Sequence, residues 1–258
     1  MINIPTDNFI IVLLIFLRIT AAFFSAPIYS HSSVPIMGKI FLALIISYII
    51  FLSIDKSNII IENNLGWLFT ASMIEIVTGL IIGFTINFIF HAISYAGSLI
   101  GFDMGLSIAQ SLNPIDGFSS NVIGDVLSMT AMLLFILING HHYVINGLAY
   151  SFSIVPLGKP TITVSVYHLL VDYSAGVFLI AVKIASPFIV SYFLIYIAEG
   201  IMARIIPQMQ VFFVSQPLIL GMGFLLLISL APIYFYVIKS LLYGYENNLA
   251  VLIKAMAQ

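Results

Sequence analysis

The chain has 258 residues, of which 62% are apolar and only 7% are charged, and its net charge is −2. With a mean hydropathy of +1.18, this composition belongs to a multi-spanning membrane protein and excludes an ordinary soluble core. The charge balance offers no basic surface for nucleic acid, and the absence of cysteine excludes disulfides, thiol catalysis and thiolate metal sites.

Taken in chain order, residues 1–8 carry no Lys or Arg ahead of the first apolar run. No cleavable signal peptide is therefore expected, and the first helix should stay in the mature protein. That helix is predicted over 9–26 and closed by Pro27. A polar connector at 29–33 precedes Pro35, and 37–53 reads as the second helix. Residues 54–64, with Asp55, Lys56 and Glu62, form the most soluble part of the N-terminal half. The third helix is predicted over 67–91, with Trp67 as an interface anchor. Residues 92–125 break the pattern. Helices at 126–138 and 143–155 flank a break at 139–142. Residues 156–163 form a loop with Gly158 and Pro160 as breakers. Residues 166–203 and 211–238 form a long hairpin around 204–210. In the tail, Leu242, Tyr245, Leu249, Leu252 and Met256 recur every three or four residues, the spacing of an amphipathic helix over 240–258. A membrane barrel would alternate with period two, and the solid apolar blocks exclude it. The fold class is all-α: a polytopic helical membrane-type protein of about six to eight helices. A coarse division at 159–163 separates two halves that are not independent domains.

Arg18, Glu75, Asp103 and Lys183 fall inside or beside apolar runs. A charge near the bilayer centre costs about 2.5–3.5 kcal/mol on insertion scales. Each must face a partner, a wet passage or another subunit, and Arg18 and Lys183 are expected to neutralise carboxylates of neighbouring helices. Ala71, Glu75, Gly79, Gly83, Asn87 and His91 are spaced by four, as are Gly97, Gly101, Gly105 and Ala109. Positions four apart form one ridge of a helix, and glycine on a ridge admits another backbone. The ridges fit either packing inside one bundle or a seam between subunits, and Glu75 beside Gly79 awaits a donor from another helix.

Residues 101–116 do not read as a membrane helix. Glycine costs about 1 kcal/mol against alanine in a helix interior, and Asn113-Pro114 disfavours helix at Asn113. A polar, glycine-containing segment lies at membrane depth only where protein buries it or water surrounds it. That describes a re-entrant loop, a gate or a plug. The alternative is a plain solvent loop, against which Met104, Leu106, Ile108 and Leu112 argue. Catalytic patterns are missing. His141 and His142 are neighbours that cannot share a metal on one helix face, and His31, His91 and His168 lack ligand spacing. No nucleophile elbow or phosphate-binding loop occurs. A proton relay through Glu75, Asp103, Asp125, Asp172 and Glu199 would need a pairing that the spacing does not give. No catalytic residue, metal or cofactor is expected.

Gly105-Leu-Ser-Ile-Ala109 before Asn113-Pro114, Phe135-Ile-Leu-Ile-Asn-Gly-His141, and Ser151 through Pro156-Leu-Gly158 resemble the FliR family of the flagellar type III export gate, which is related to the SctT family of virulence injection machines. Glu199-Gly-Ile-Met-Ala-Arg204-Ile-Ile-Pro-Gln-Met-Gln-Val-Phe-Phe213, then Pro217 and Gly221, resembles the family's most recognisable stretch. Arg18, Pro27, Pro35 and Lys39 also fall where the family carries such residues. The likeness covers nearly the whole chain. Asn113 departs from the usual Asp-Pro, and Gln210 from the usual Asn.

The resemblance implies a helical gate assembly built from helical hairpins, with FliP-like and FliQ-like subunits as partners, FlhB-like and FlhA-like export proteins nearby, and unfolded flagellar subunits as cargo. It implies a FliP-like part over 1–160 with a re-entrant plug loop at 101–121, and a FliQ-like hairpin with an amphipathic helix over 161–258. Gly101, Asp103, Met104, Gly105, Leu106, Ser107, Asn113 and Pro114 would form the plug or constriction. Gly79, Gly83, Gly97, Glu75, Arg18 and Lys183 are expected in subunit packing, and Arg204, Pro207 and Gln208 in the hairpin turn. The location implied is the bacterial inner membrane at the flagellar basal body, with such chains sitting largely above the membrane plane. Asn139-Gly-His141 favours the flagellar branch over a virulence gate. The rivals from the residues alone are a self-contained secondary transporter or channel using Glu75, Asp103 and Lys183, and an intramembrane enzyme.

Overall fold

Long apolar runs must satisfy their own backbone groups away from water, and the helix does this within one segment. The computed structural model of the chain describes residues 6–30, 34–54, 64–106, 122–159, 162–208 and 210–257, and these contain helices and no strand. In chain order they are α1 (Thr6–Ser25), α2 (Pro27–Ser30), α3 (Ile36–Ser53), α4 (Leu65–Asp103), α5 (Val122–Leu137), α6 (Gly140–Ile154), α7 (Val164–Ile205) and α8 (Val211–Ala255). Five of them are long and apolar enough to cross a membrane, and α5 with α6 could make a sixth span, bent by 69°. The protein is a polytopic helical membrane protein.

Pro27 ends α1 and opens α2, since a residue without an N–H suits a first helical turn. Pro35 stands just before α3. The break between α5 and α6 turns on Asn139, in the left-handed region at φ 60°, a conformation that asparagine tolerates better than most residues. Gly140 follows because a Cβ there would sit 2.5 Å from the Phe135 ring.

Two expectations need correction. Residues 92–103 are not irregular, because α4 runs on to Asp103. The glycine penalty at Gly97 and Gly101 is small beside the apolar contacts of Ile93, Ala96 and Ile100, all buried. The tail is no separate helix either, because α8 continues through 240–255. Its predicted stripe is real: Leu242, Tyr245, Leu249, Leu252 and Met256 are all buried. Prolines inside α7 and α8 (Pro187, Pro217, Pro232) are absorbed without ending either helix. Pro187 cannot bond the Lys183 carbonyl, and the Ser186 hydroxyl donates to it instead at 2.8 Å.

The chain forms two compact units. The first comprises Met1–Phe88, Phe135–Ser174 and Leu242–Gln258. Its core gathers Leu14, Ile15, Ile19 and Phe23 of α1 with Ile82 and Ile86 of α4 and Leu148 of α6. Tyr29 stacks on Phe23 with ring centroids 4.2 Å apart, and burial pushes its phenol above the ordinary tyrosine range. The second unit comprises Ile89–Leu134 and Ala175–Leu241. In it α7 and α8 pair antiparallel. Tyr192 donates to the Ile219 carbonyl at 2.9 Å, and Tyr234 to the Ile184 carbonyl at 3.0 Å.

Candidate functional site

Two clusters hold several of the residues singled out by sequence. The first lies in the first unit around Arg18, which is fully buried. Its Nε donates to Glu75 Oε2 at 2.5 Å. Nη1 reaches Ser151 Oγ at 3.2 Å and the Val155 carbonyl at 3.4 Å, and Nη2 reaches the same carbonyl at 3.3 Å. The guanidinium stands 4.2 Å from the centre of the Phe152 ring. The other Glu75 oxygen accepts from the Gly158 N–H at 2.8 Å. Gly158 has φ +73°, and its Cα side faces Ala71 and Trp67. One ion pair thus ties α1, α4, α6 and the turn after α6, with both carboxylate oxygens engaged. A pair so fully bonded is a fixed joint.

The ridge beside it is an intrachain seam. A Cβ at Gly79 would strike the Arg18 carbonyl and lie 2.9 Å from Ala21 Cβ. One at Gly83 would strike Ser25 Oγ and the Ala22 carbonyl, with Ala26 N at 3.0 Å. Asn87 Nδ2 donates to the Ser25 carbonyl and so closes the end of α1. Within this chain, α1 fills the space beside Gly79 and Gly83, and Arg18 meets Glu75. Gly97 is taken up similarly, against the backbone of Gly124 on α5. Lys183 differs from all of these. It is exposed, and among the described residues no carboxylate pairs with it.

The second cluster lies in the second unit, where α4 ends. Met104 is fully buried, and its N–H still bonds Ile100. Gly105 then takes φ +75°, the left-handed residue that closes many helices. The Asp103 carbonyl accepts from the Tyr196 hydroxyl at 3.0 Å, and the Met104 carbonyl from Gln216 Nε2 at 3.4 Å. A Cβ at Gly223 on α8 would strike the Tyr192 hydroxyl and lie 2.6 Å from Met104 Cε. Gly101 is buried and Leu106 half-buried. Ser107, Asn113, Pro114 and the rest of 107–121 lie outside the described residues. Gly105→Ala is expected to cost about 1–2 kcal/mol through backbone strain alone. Faster hydrogen exchange of the amides at 100–106, not restored by adding Gln216→Ala, would confirm this. Unchanged exchange would refute it.

Arg204 lies in the last turn of α7, and Pro207 and Gln208 form the turn before α8. Among the described residues no group of three His, Asp or Glu could hold a metal. The sequence reading missed Gly124, Tyr196 and Gln216, and it gave no bonding role to Asn87, Ser151 or Val155. Gln216 carried a visible signal, being a lone amide in an apolar run. The carbonyl of Val155 carried none.

The bacterial export proteins, family 1, match the chain over residues 9–244. The flagellar biosynthetic protein FliR of Bacillus subtilis (strain 168) is 32% identical over 92% of this chain and 92% of its own length. The protein of that name from Escherichia coli (strain K12) is 32% identical over 84% of this chain and 82% of its own. The one from Aquifex aeolicus (strain VF5) is 27% identical over 90% and 89%. The match spans both units and includes both clusters, so the chain belongs to the FliR family of flagellar biosynthetic proteins within the bacterial export proteins, family 1.

Proposed function

We propose that this chain is a non-enzymatic subunit of the flagellar type III export gate in the bacterial inner membrane, where it helps to build the passage for unfolded flagellar subunits. FliP-like and FliQ-like chains would be its direct neighbours, with FlhB-like and FlhA-like proteins beside them. The segment 101–121 would plug the closed passage. The observation that carries this reading is the foot of that segment in a member of the FliR family: a buried Met104 and a left-handed Gly105, held by Tyr196 and Gln216 through two backbone carbonyls. Such bonds grip the backbone whatever side chains follow. Apolar side chains at the constriction would seal against ions, and the glycines would let the segment swing aside. By the positive-inside rule the 204–208 turn, with Arg204, would face the cytoplasm. The transporter reading loses its central carboxylate, because both oxygens of Glu75 are engaged.

Co-expressed with flagellar gate subunits, the chain is expected to co-purify with two smaller membrane proteins, and alone in liposomes it should drive no substrate-coupled flux. Deleting residues 105–113 should make the assembled gate leaky to small ions. A deletion gate whose conductance stays closed would rule out the plug role.

A further inference from the structure

Lys183 has no carboxylate partner among the described residues. It sits 19 residues after the start of α7 and 22 before its end, so roughly 28 and 33 Å of helix separate it from the two termini. Its nearest charged neighbours along α7 are Asp172 and Glu199, 11 and 16 residues away, so it stands inside an otherwise uncharged apolar stretch, where an ammonium within a bilayer calls for a partner. Leu179, Val190, Leu194, Ile197 and Ile201 share its side of α7 by helical rotation and every one is exposed, while Ser186 and Pro187 lie one turn on, with the Ser186 hydroxyl bonded to the Lys183 carbonyl. Asp172 shares that side too, but lies 11 residues away, three turns of helix and out of reach. Gly176, also on this side, has open space where its Cβ would be, so among the described residues nothing calls for a glycine there. The contrast with Arg18, whose charge is met on every side, is plain.

We infer that the Lys183 side of α7 is a docking surface for an apolar helix of another gate subunit, and that this helix carries an Asp or Glu near its middle. The inference rests on the assembly reading above. Charge complementarity selects the occupant. Lipid tails cannot solvate an ammonium, whereas a helix bearing one carboxylate satisfies it and covers the apolar flanks together. A glycine at Gly176 lets that helix approach closely at one end of the contact.

The test co-expresses the tagged chain with the FliP-like and FliQ-like subunits of its own organism and measures the co-purified yield. Lys183→Met should lower it about tenfold or more, since a carboxylate is left buried and alone. Lys183→Arg should keep it. A photo-reactive residue at Leu179 or Val190 should attach to a FliP-like or FliQ-like chain, and a Lys at the partner's carboxylate should rescue Lys183→Glu. Exposed positions tolerate these changes, and an unchanged elution profile of the isolated variants checks the fold. Wild-type yield from Lys183→Met would overturn the inference while leaving the gate reading intact. So would attachment to lipid or to a second copy of this chain. If the unmodified chain captures neither subunit, the gate reading itself fails.

Discussion

Glu75→Gln and Arg18→Met are each expected to cost about 3–5 kcal/mol, because either leaves a buried charge without its counterion. For a chain of this size such a loss lowers the melting temperature in detergent by on the order of 10 °C. The double replacement Arg18→Met with Glu75→Leu should recover only part of this. Removing both charges ends the uncompensated burial, but the Val155 carbonyl and the Gly158 N–H then lose their partners, at about 1–3 kcal/mol each. The ion pair is therefore less a source of net stability than a device that fixes α1, α4 and α6 in one arrangement. A single variant that melts like the parent would remove this account, and a double variant as stable as the parent would show that the two backbone groups find other partners.

Gly79→Leu and Gly83→Leu are expected to be at least as damaging, at about 3 kcal/mol or more, because the obstacles are backbone atoms of α1 that cannot step aside. The failure should appear in the isolated chain, as early unfolding or loss of a discrete elution peak, before any partner is added. Gly221→Leu and Gly244→Leu supply the contrast. Among the described residues nothing lies within 4 Å of a Cβ at either position, so these variants should elute and melt like the parent. Were Gly79→Leu to behave normally alone and fail only in co-assembly, the seam would lie between subunits after all.

Much of the architecture is legible in the sequence because the bilayer leaves a chain few options. Apolar runs with no period of two must be helices, and Pro27, Pro35 and the Asn139-Gly140 pair interrupt them where a missing N–H or a left-handed backbone requires it. The tail stripe was legible for the same reason, since its spacing is the helical period. The extent of α4 was not. Gly97 and Gly101 lower helix propensity, and only the buried contacts of Ile93, Ala96 and Ile100 outweigh that local preference.

The candidate site divides along the same line. The sequence by itself determined that Arg18, Glu75 and Lys183 need partners and that the glycines at a pitch of four face something close, because both follow from the cost of burying charge and from helix geometry. Tertiary structure alone decided what those partners are. Arg18 finds Glu75 across 57 residues and Val155 across 137, Gly79 and Gly83 find α1, and Lys183 finds nothing within the described residues. Pairing across such distances depends on which helix faces which, and that is settled by the summed packing of whole surfaces, which no local spacing encodes.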